Sequence, residues 1–281
     1  MKRVLITGKH SYLGGQVKQY LEQFPDYEVE ELDLHTNWKD FDFSNYDSIF
    51  HVAGLAHSTP KEEDRSLYYQ INTDLAYEVA QKAKESGCKQ FIFMSSIIVY
   101  GNQVETITSK TPLLPENFYG DSKKKAEEKI WPLNDENFRV CIVRPPMIYG
   151  PNSKGNYRLL SNFAKKIPLF PNVSNHRSML FVGNFTAFIK GVIDHSSSGF
   201  FLPQNKEEVE TRYLVKEIAK IHQRPMWISN IWNPLIQLFK NQVYIKKLFG
   251  NLVIDPSLST FGFDYQIYTF QQSIVISEGG D

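Results

Sequence analysis

Tyr119 and Lys123 stand four residues apart in Y-G-D-S-K, downstream of the Ser95-Ser96 pair and of an amino-terminal T-G-K-H-S-Y-L-G. On a helix, positions i and i+4 lie one above the other, so the Lys123 ammonium can reach the region of the Tyr119 hydroxyl. A neighbouring cation favours phenolate and lowers the tyrosine pKa toward working pH. Such a phenol can give a proton to a carbonyl oxygen as hydride arrives at its carbon, or take one from an alcohol in the reverse direction. The redox chemistry itself belongs to a nicotinamide, so a dinucleotide site is expected upstream.

T-G-K-H-S-Y-L-G supplies that site. Gly8 permits a tight turn after a strand and Gly14 lets the following helix pack close to the sheet. Ser11 stands where a middle glycine would complete the usual fingerprint; its small side chain can donate a hydrogen bond to phosphate. Helix amides near Tyr12 and Leu13 would face the anion. Asp33, about 20 residues on at the end of a second strand, suits the adenosine ribose hydroxyls and favours NAD. Lys9, His10 and His35 pull toward the 2′-phosphate of NADP, so the cofactor is read as NAD or NADP with NAD slightly ahead. A phosphate loop of the nucleotide-triphosphate type is excluded, because Lys9 is not followed by Ser or Thr.

These residues need a scaffold, and the chain alternates short apolar runs with helical segments. Strands are expected at Val4 to Thr7, Tyr27 to Leu32, Ser48 to Ala53, Gln90 to Ser95 and Val140 to Arg144. Helices are expected at Leu13 to Phe24, around Tyr119, and from Leu67 to Ser86, closed by Gly87. This specifies an α/β protein with a Rossmann-type doubly wound parallel sheet, whose ligands bind at the carboxyl ends of the strands. After Arg144 the character changes. Residues 1–145 read as the dinucleotide-binding domain and 146–281 as a smaller mixed α/β substrate lobe, with segments exchanged across a soft boundary. The last residues, from about Ser277, are expected to be loose.

The 281 residues can bury a large core, and 31 basic side chains balance 31 acidic ones. That balance gives no reason to expect nucleic acid as a partner. Two cysteines, Cys88 and Cys141, lie beside apolar runs and suit buried thiols in a reducing cytoplasm. No signal peptide or membrane span is read, and no metal site. Trp227 to Phe249, apolar with interspersed lysines, is expected to pack into the second lobe or a subunit contact rather than lie on a membrane.

With these pieces in order, joined by H-V-A-G, F-I-F-M-S-S-I-I-V-Y-G and V-R-P-P-M-I-Y-G-P, the chain resembles the extended short-chain dehydrogenase/reductase family from Lys2 to roughly Asp255. The resemblance implies that Ser96 is the catalytic serine, with Ser95 beside it against the cofactor. It implies that Tyr119 handles the proton and that Lys123 tunes it and holds the nicotinamide ribose. Val52, Ala53 and Gly54 would line the cofactor, and Asn72 would steady the neighbouring strand ends. Arg177 would grip a sugar nucleotide's diphosphate and Asn156 would lie against the same nucleotide. Pro145 and Pro146 would shape the nicotinamide pocket, and His57 reads as a structural hydrogen-bond partner.

The family runs several reactions on one scaffold. Ile97 and Ile98 after Ser96, where a dehydratase carries an acid-base pair, argue against that reaction. The short chain, and segments similar to those of bacterial UDP-4-keto-6-deoxy-N-acetylhexosamine 4-reductases, point to reduction of a C4 ketone for surface polysaccharide. Ile97 and Ile98 would suit a C6 methyl. A UDP-hexose 4-epimerase is the alternative within the family. A non-catalytic NAD(P)-binding regulator is the alternative outside it, opposed by the intact Ser96, Tyr119 and Lys123. A homodimer stays open.

Overall fold

The computed structural model describes residues 1–56, 61–239 and 242–279; His57 lies outside them. Its centre is a six-stranded, wholly parallel sheet made of β1 (Lys2–Thr7), β2 (Tyr27–Leu32), β3 (Ser48–His51), β4 (Gln90–Met94), β6 (Arg139–Val143) and β10 (Gly199–Phe201). The spatial order is β2-β1-β3-β4-β6-β10. The strand order reverses between β1 and β3, which opens a crevice at their carboxyl ends.

Apolar residues on alternate positions feed two cores, one per face. Val4, Ile6, Phe50, Ile92 and Val143 pack against α1 (Tyr12–Leu21) and α6 (Val182–Asp194). Leu5, Ile49, Phe91, Phe93 and Ile142 pack against α3 (Ala76–Glu85) and α4 (Phe118–Ile130). A sheet covered on both faces needs continuous apolar strands, and every residue of β4 is buried.

The expected helix from Leu67 to Ser86 is interrupted. α2 (Arg65–Tyr69) runs through a π turn (Gln70–Leu75) into α3. The turn carries the buried Asn72 and Thr73, and the Thr73 hydroxyl donates to the Ser122 carbonyl at 2.7 Å. The strand expected to reach Ala53 ends at His51. The amides of Val52 and Ala53 both donate to the Thr7 carbonyl instead, at 3.1 and 3.0 Å, which turns the chain across the crevice.

Beyond β6 the chain builds a second cluster and then returns to the sheet. β7 (Met147–Tyr149) pairs with β9 (Met179–Phe181), and β8 (Leu169–Pro171) with β11 (Trp227–Ser229). The two-residue β5 (Thr106–Ile107) pairs with β12 (Val253–Ile254). α5 (Asn156–Lys166), α7 (Thr211–Ile221) and α10 (Phe270–Glu278) surround a core containing Tyr149, Phe170, Val215 and Ile274. α6 and β10 cross back onto the main sheet.

One expectation for this half is corrected. The chain is not loose at Ser277 and Glu278: Glu278 accepts from Tyr157, Ser161 and His222 and pairs with Lys165, which pins the end of α10. The Trp227 to Phe249 stretch packs in part into the second core, through Ile228 of β11 and through Leu248 and Phe249 of α9 (Val243–Phe249), while Trp227 and, in α8 (Asn233–Leu238), Leu235 and Leu238 stay exposed. α8 is too short to bury a face, and Pro234 sits in its first turn, where it starts the helix rather than breaking it. No described helix is long and apolar enough to cross a membrane.

Candidate active site

At the amino-terminal loop, Gly8 holds φ at +112°, and a Cβ there would stand 2.8 Å from the Ala53 nitrogen. Only glycine lets the loop and the turn after β3 approach so closely. Ser11 caps α1: its oxygen accepts the Gly14 amide at 3.2 Å. The oxygen is thus used to start the helix, while the hydroxyl proton remains able to donate. The Tyr12 and Leu13 amides in the first turn have no intrahelical acceptor, which makes them anion binders. The Tyr12 hydroxyl is buried without a partner, and burial pushes it up to about 12. Asp33 lies at the end of β2 and accepts the His35 amide at 2.9 Å. His10 and His35 are exposed beside it, with Lys9. A glycine cradle, helix-terminal amides and a carboxylate at the neighbouring strand end fit a dinucleotide.

Gly54 fills a second close approach. A Cβ there would lie 2.9 Å from the Asn72 Oδ1 and 3.1 Å from the Lys123 Nζ. Asn72 spends its amide on structure, accepting the Leu55 amide at 2.8 Å and donating to the Leu55 carbonyl and the Ser122 hydroxyl, each at 3.1 Å. With both N–H groups committed, it shapes the cofactor crevice from behind rather than reaching into it.

Ser96, Tyr119 and Lys123 come together in the wall of a cavity of about 220 Å³, with Val52, Gly54 and Pro145 around them. The Ser96 oxygen accepts the Ile98 amide at 3.3 Å, and its hydroxyl lies close enough to Tyr119 to pull the phenol's pKa down. The expectation that Lys123 acidifies Tyr119 is corrected. Burial pushes the phenol up to about 12, with only the Ser96 bond pulling it down. The Lys123 ammonium donates to the Met94 carbonyl at 2.8 Å and lies 4.8 Å over the Phe93 ring. Burial brings the ammonium down to about 8, and Glu127 opposes that fall.

Behind the cavity lies a network that motif reading passed over. The Ser95 hydroxyl donates to the Glu127 carboxylate, and Ser95 also lines the cavity. Glu127 also binds Arg144, Nη2 to Oε2 at 2.5 Å and Nε to Oε1 at 3.0 Å. Arg144 Nη1 donates to the Tyr100 hydroxyl at 2.8 Å. Glu127 is the next i+4 step after Lys123 on the Tyr119 face, so spacing alone could have found it.

Asn156, first in α5, and Arg177 line a separate cavity of about 40 Å³ with Met147 and Val209. Arg177 Nη1 donates to the Gly250 carbonyl at 2.9 Å, and burial lowers the guanidinium from its ordinary value. Among the described residues, no three of His, Cys, Asp or Glu gather as a metal site.

A parallel doubly wound sheet with a glycine cradle at its switch point and a Ser-Tyr-Lys cluster beside it defines a nicotinamide-dependent enzyme. The chain belongs to the NAD dependent epimerase/dehydratase family, whose model matches residues 4–200. It is 31% identical over 288 residues to a UDP-glucose 4-epimerase of Vibrio cholerae, covering 91% of this chain and 88% of the relative. It superposes with TM-score 0.75 on the UDP-glucuronic acid 4-epimerase of Bacillus cereus in complex with NAD, at 14% identity, covering 99% and 97% of the two chains. RMD from Pseudomonas aeruginosa complexed with NADPH gives TM-score 0.75 at 19% identity, covering 99% of each chain. The enzyme uses NAD or NADP, and the expected Rossmann-type fold and family stand.

Proposed function

We propose that the protein reduces the C4 ketone of a UDP-4-keto-6-deoxy-N-acetylhexosamine, using NADH or NADPH, to supply a precursor of bacterial surface polysaccharide. The observation that carries this reading is the meeting of Ser96, Tyr119 and Lys123 in the wall of one cavity, beside the apolar surface of Pro146 and Ile148. A protonated phenol at Tyr119 is an acid at neutral pH, and reduction needs an acid. The nicotinamide, when bound, supplies the hydride. As hydride adds to C4, the C–O π bond breaks onto oxygen and that oxygen takes the Tyr119 proton. One reduced cofactor and one proton are consumed per alcohol formed.

Ser96 would orient the same oxygen, and Lys123 would donate to the nicotinamide ribose. Gly8, Ser11, Tyr12, Leu13, Gly14 and Asp33 would hold the rest of the dinucleotide, with Asp33 favouring NAD. Val52, Ala53 and Gly54 would form its floor, with Asn72 and Ser95 supporting them. Arg177 and Asn156 would take the UDP end. The apolar Ile148 in the cavity wall suits a C6 methyl better than a hydroxymethyl group, whereas Ile97 packs into a separate core with Val99 and Ile107.

A second reading, UDP-hexose 4-epimerase, is favoured by the Vibrio cholerae relative. That reaction begins with an alcohol giving its proton to Tyr119 and ends with the same residue returning a proton to the ketone oxygen. One experiment separates them. The purified protein is incubated with the keto sugar nucleotide and NADH or NADPH while the reduced nicotinamide band is followed. Stoichiometric loss of the band supports the reductase. Tightly bound NAD in the isolated protein, with interconversion of UDP-hexoses and no net NADH consumption, overturns it in favour of the epimerase.

A further inference from the structure

We propose that the face formed by Trp227, Ile231, Trp232, Leu235, Leu238 and Phe239 is a docking surface for an anionic lipid bilayer. These six side chains lie within thirteen consecutive residues and are between 45% and 75% exposed. Isolated exposed apolar residues are ordinary, but a continuous run with two tryptophans is not. Tryptophan is the side chain favoured where hydrocarbon meets headgroups, with its ring in the apolar layer and its N–H at the wet boundary.

Charge decides what covers this face. Residues 218–254 contain Lys220, Arg224, Lys240, Lys246 and Lys247 and no Asp or Glu. The bias extends over half the molecule: residues 137–281 carry sixteen Lys and Arg against nine Asp and Glu, and residues 1–136 fifteen against twenty-two. The neutral total conceals a polarised chain. In the parallel pair of β8 and β11, Leu169 stands opposite Trp227. Lys166, at the end of α5, and Arg224, just after α7, are both exposed and each precede those partners by three residues. Cations around an apolar, tryptophan-bearing face match an anionic membrane surface. A two-fold contact between copies would instead press this cationic face against itself, like charge against like.

The position is also apt. Phe249 packs on Phe170 of β8 with ring centroids 5.7 Å apart, and the neighbouring Leu248 lines the cavity that holds Asn156 and Arg177. Docking through β11 and α8 would hold that cavity near the headgroups. This inference does not depend on whether the net reaction is reduction or epimerisation.

The test is vesicle flotation of the full-length protein, with phosphatidylcholine vesicles compared with vesicles also containing phosphatidylglycerol at about one third of the lipid. The wild type is expected to float with the anionic vesicles, less so as salt is raised. Leu235→Glu/Leu238→Glu should reduce the floated fraction roughly tenfold or more. Lys166→Glu/Arg224→Glu should reduce it on anionic vesicles by a comparable factor. Both variants should keep wild-type circular dichroism and activity on a soluble sugar nucleotide. The proposal is overturned if the wild type stays unfloated with anionic vesicles, or if both variants float as it does. A wild-type dimer that Leu235→Glu/Leu238→Glu splits into monomers would also overturn it, by making the face a subunit contact.

Discussion

The Glu127 carboxylate binds the Arg144 guanidinium at 2.5 Å, one helical turn beyond Lys123 and with both partners almost wholly buried. The same carboxylate opposes the fall of the Lys123 pKa. One ion pair therefore ties the end of β6 to the helix that carries Tyr119, and helps keep Lys123 charged.

Replacing Glu127 by Gln leaves the Arg144 charge buried without its counter-ion, a loss expected to cost about 3–5 kcal/mol. Urea denaturation of the variant reads that cost. Removing the carboxylate also removes the influence that raises the Lys123 pKa, so any alkaline limb of kcat/KM should move to lower pH. A limb that stays in place would show that Glu127 is structural only.

Lys123 is expected to govern that alkaline limb in the wild type. Its ammonium is brought down to about 8, so it is charged below that pH and neutral above it. Ribose binding by the ammonium should weaken as pH rises through this value, and kcat/KM should fall by roughly tenfold per pH unit beyond it. Tyr119, pushed up to about 12, stays protonated throughout the same window and does not set the limb. A profile flat to pH values well above that of the lysine would contradict the assignment.

Tyr119→Phe removes the proton donor and little else, since the ring keeps its edge-on contact with Tyr68 at 6.0 Å. Turnover should drop by about 10²–10⁴-fold with thermal stability nearly unchanged. Single-turnover oxidation of NADH with the keto sugar nucleotide is the measurement; wild-type rates in the variant would remove Tyr119 from the chemistry.

His51 predicts a pH dependence of stability. It is fully buried between Phe91 and Phe93, its Nδ1 is 2.8 Å from the Thr7 hydroxyl, and burial brings it down to about 3 from the ordinary 6.5. The unfolded chain takes up a proton below its own pKa while the folded one refuses it. Stability is therefore lost as pH falls from 6.5 toward 3. Between neutrality and about pH 4.5 the share of this residue is about 2–3 kcal/mol. His51→Gln, which keeps a polar partner for Thr7, should show a correspondingly smaller loss in denaturant titrations at the two pH values.

Much of this molecule was legible in the chain. The continuous apolar runs at Val4, Ile49, Phe91 and Val140 could only be strands buried on both faces, and their spacing with intervening helices named the sheet. The turn at Gly8 and the meeting of Tyr119 and Lys123 on one helix face could be read from type and separation, because turn geometry and helical periodicity are local properties. Local rules failed where a residue's partner lies far along the chain. The π turn at Asn72 exists because its side chain is needed by Leu55 and Ser122. Ser95 lines the cavity while its hydroxyl is held by Glu127, and the end of α10 is fixed by side chains from α5 and by His222 just after α7.

The protonation states were likewise decided by tertiary structure. Sequence spacing put an ammonium near a phenol and so foresaw phenolate. Folding buried both groups and offered the ammonium the Met94 carbonyl, so desolvation won and the phenol stayed an acid. Sequence fixes which groups can meet along one helix face; only the packed fold sets how much water each keeps and which acceptor each finds, and those two quantities set its charge.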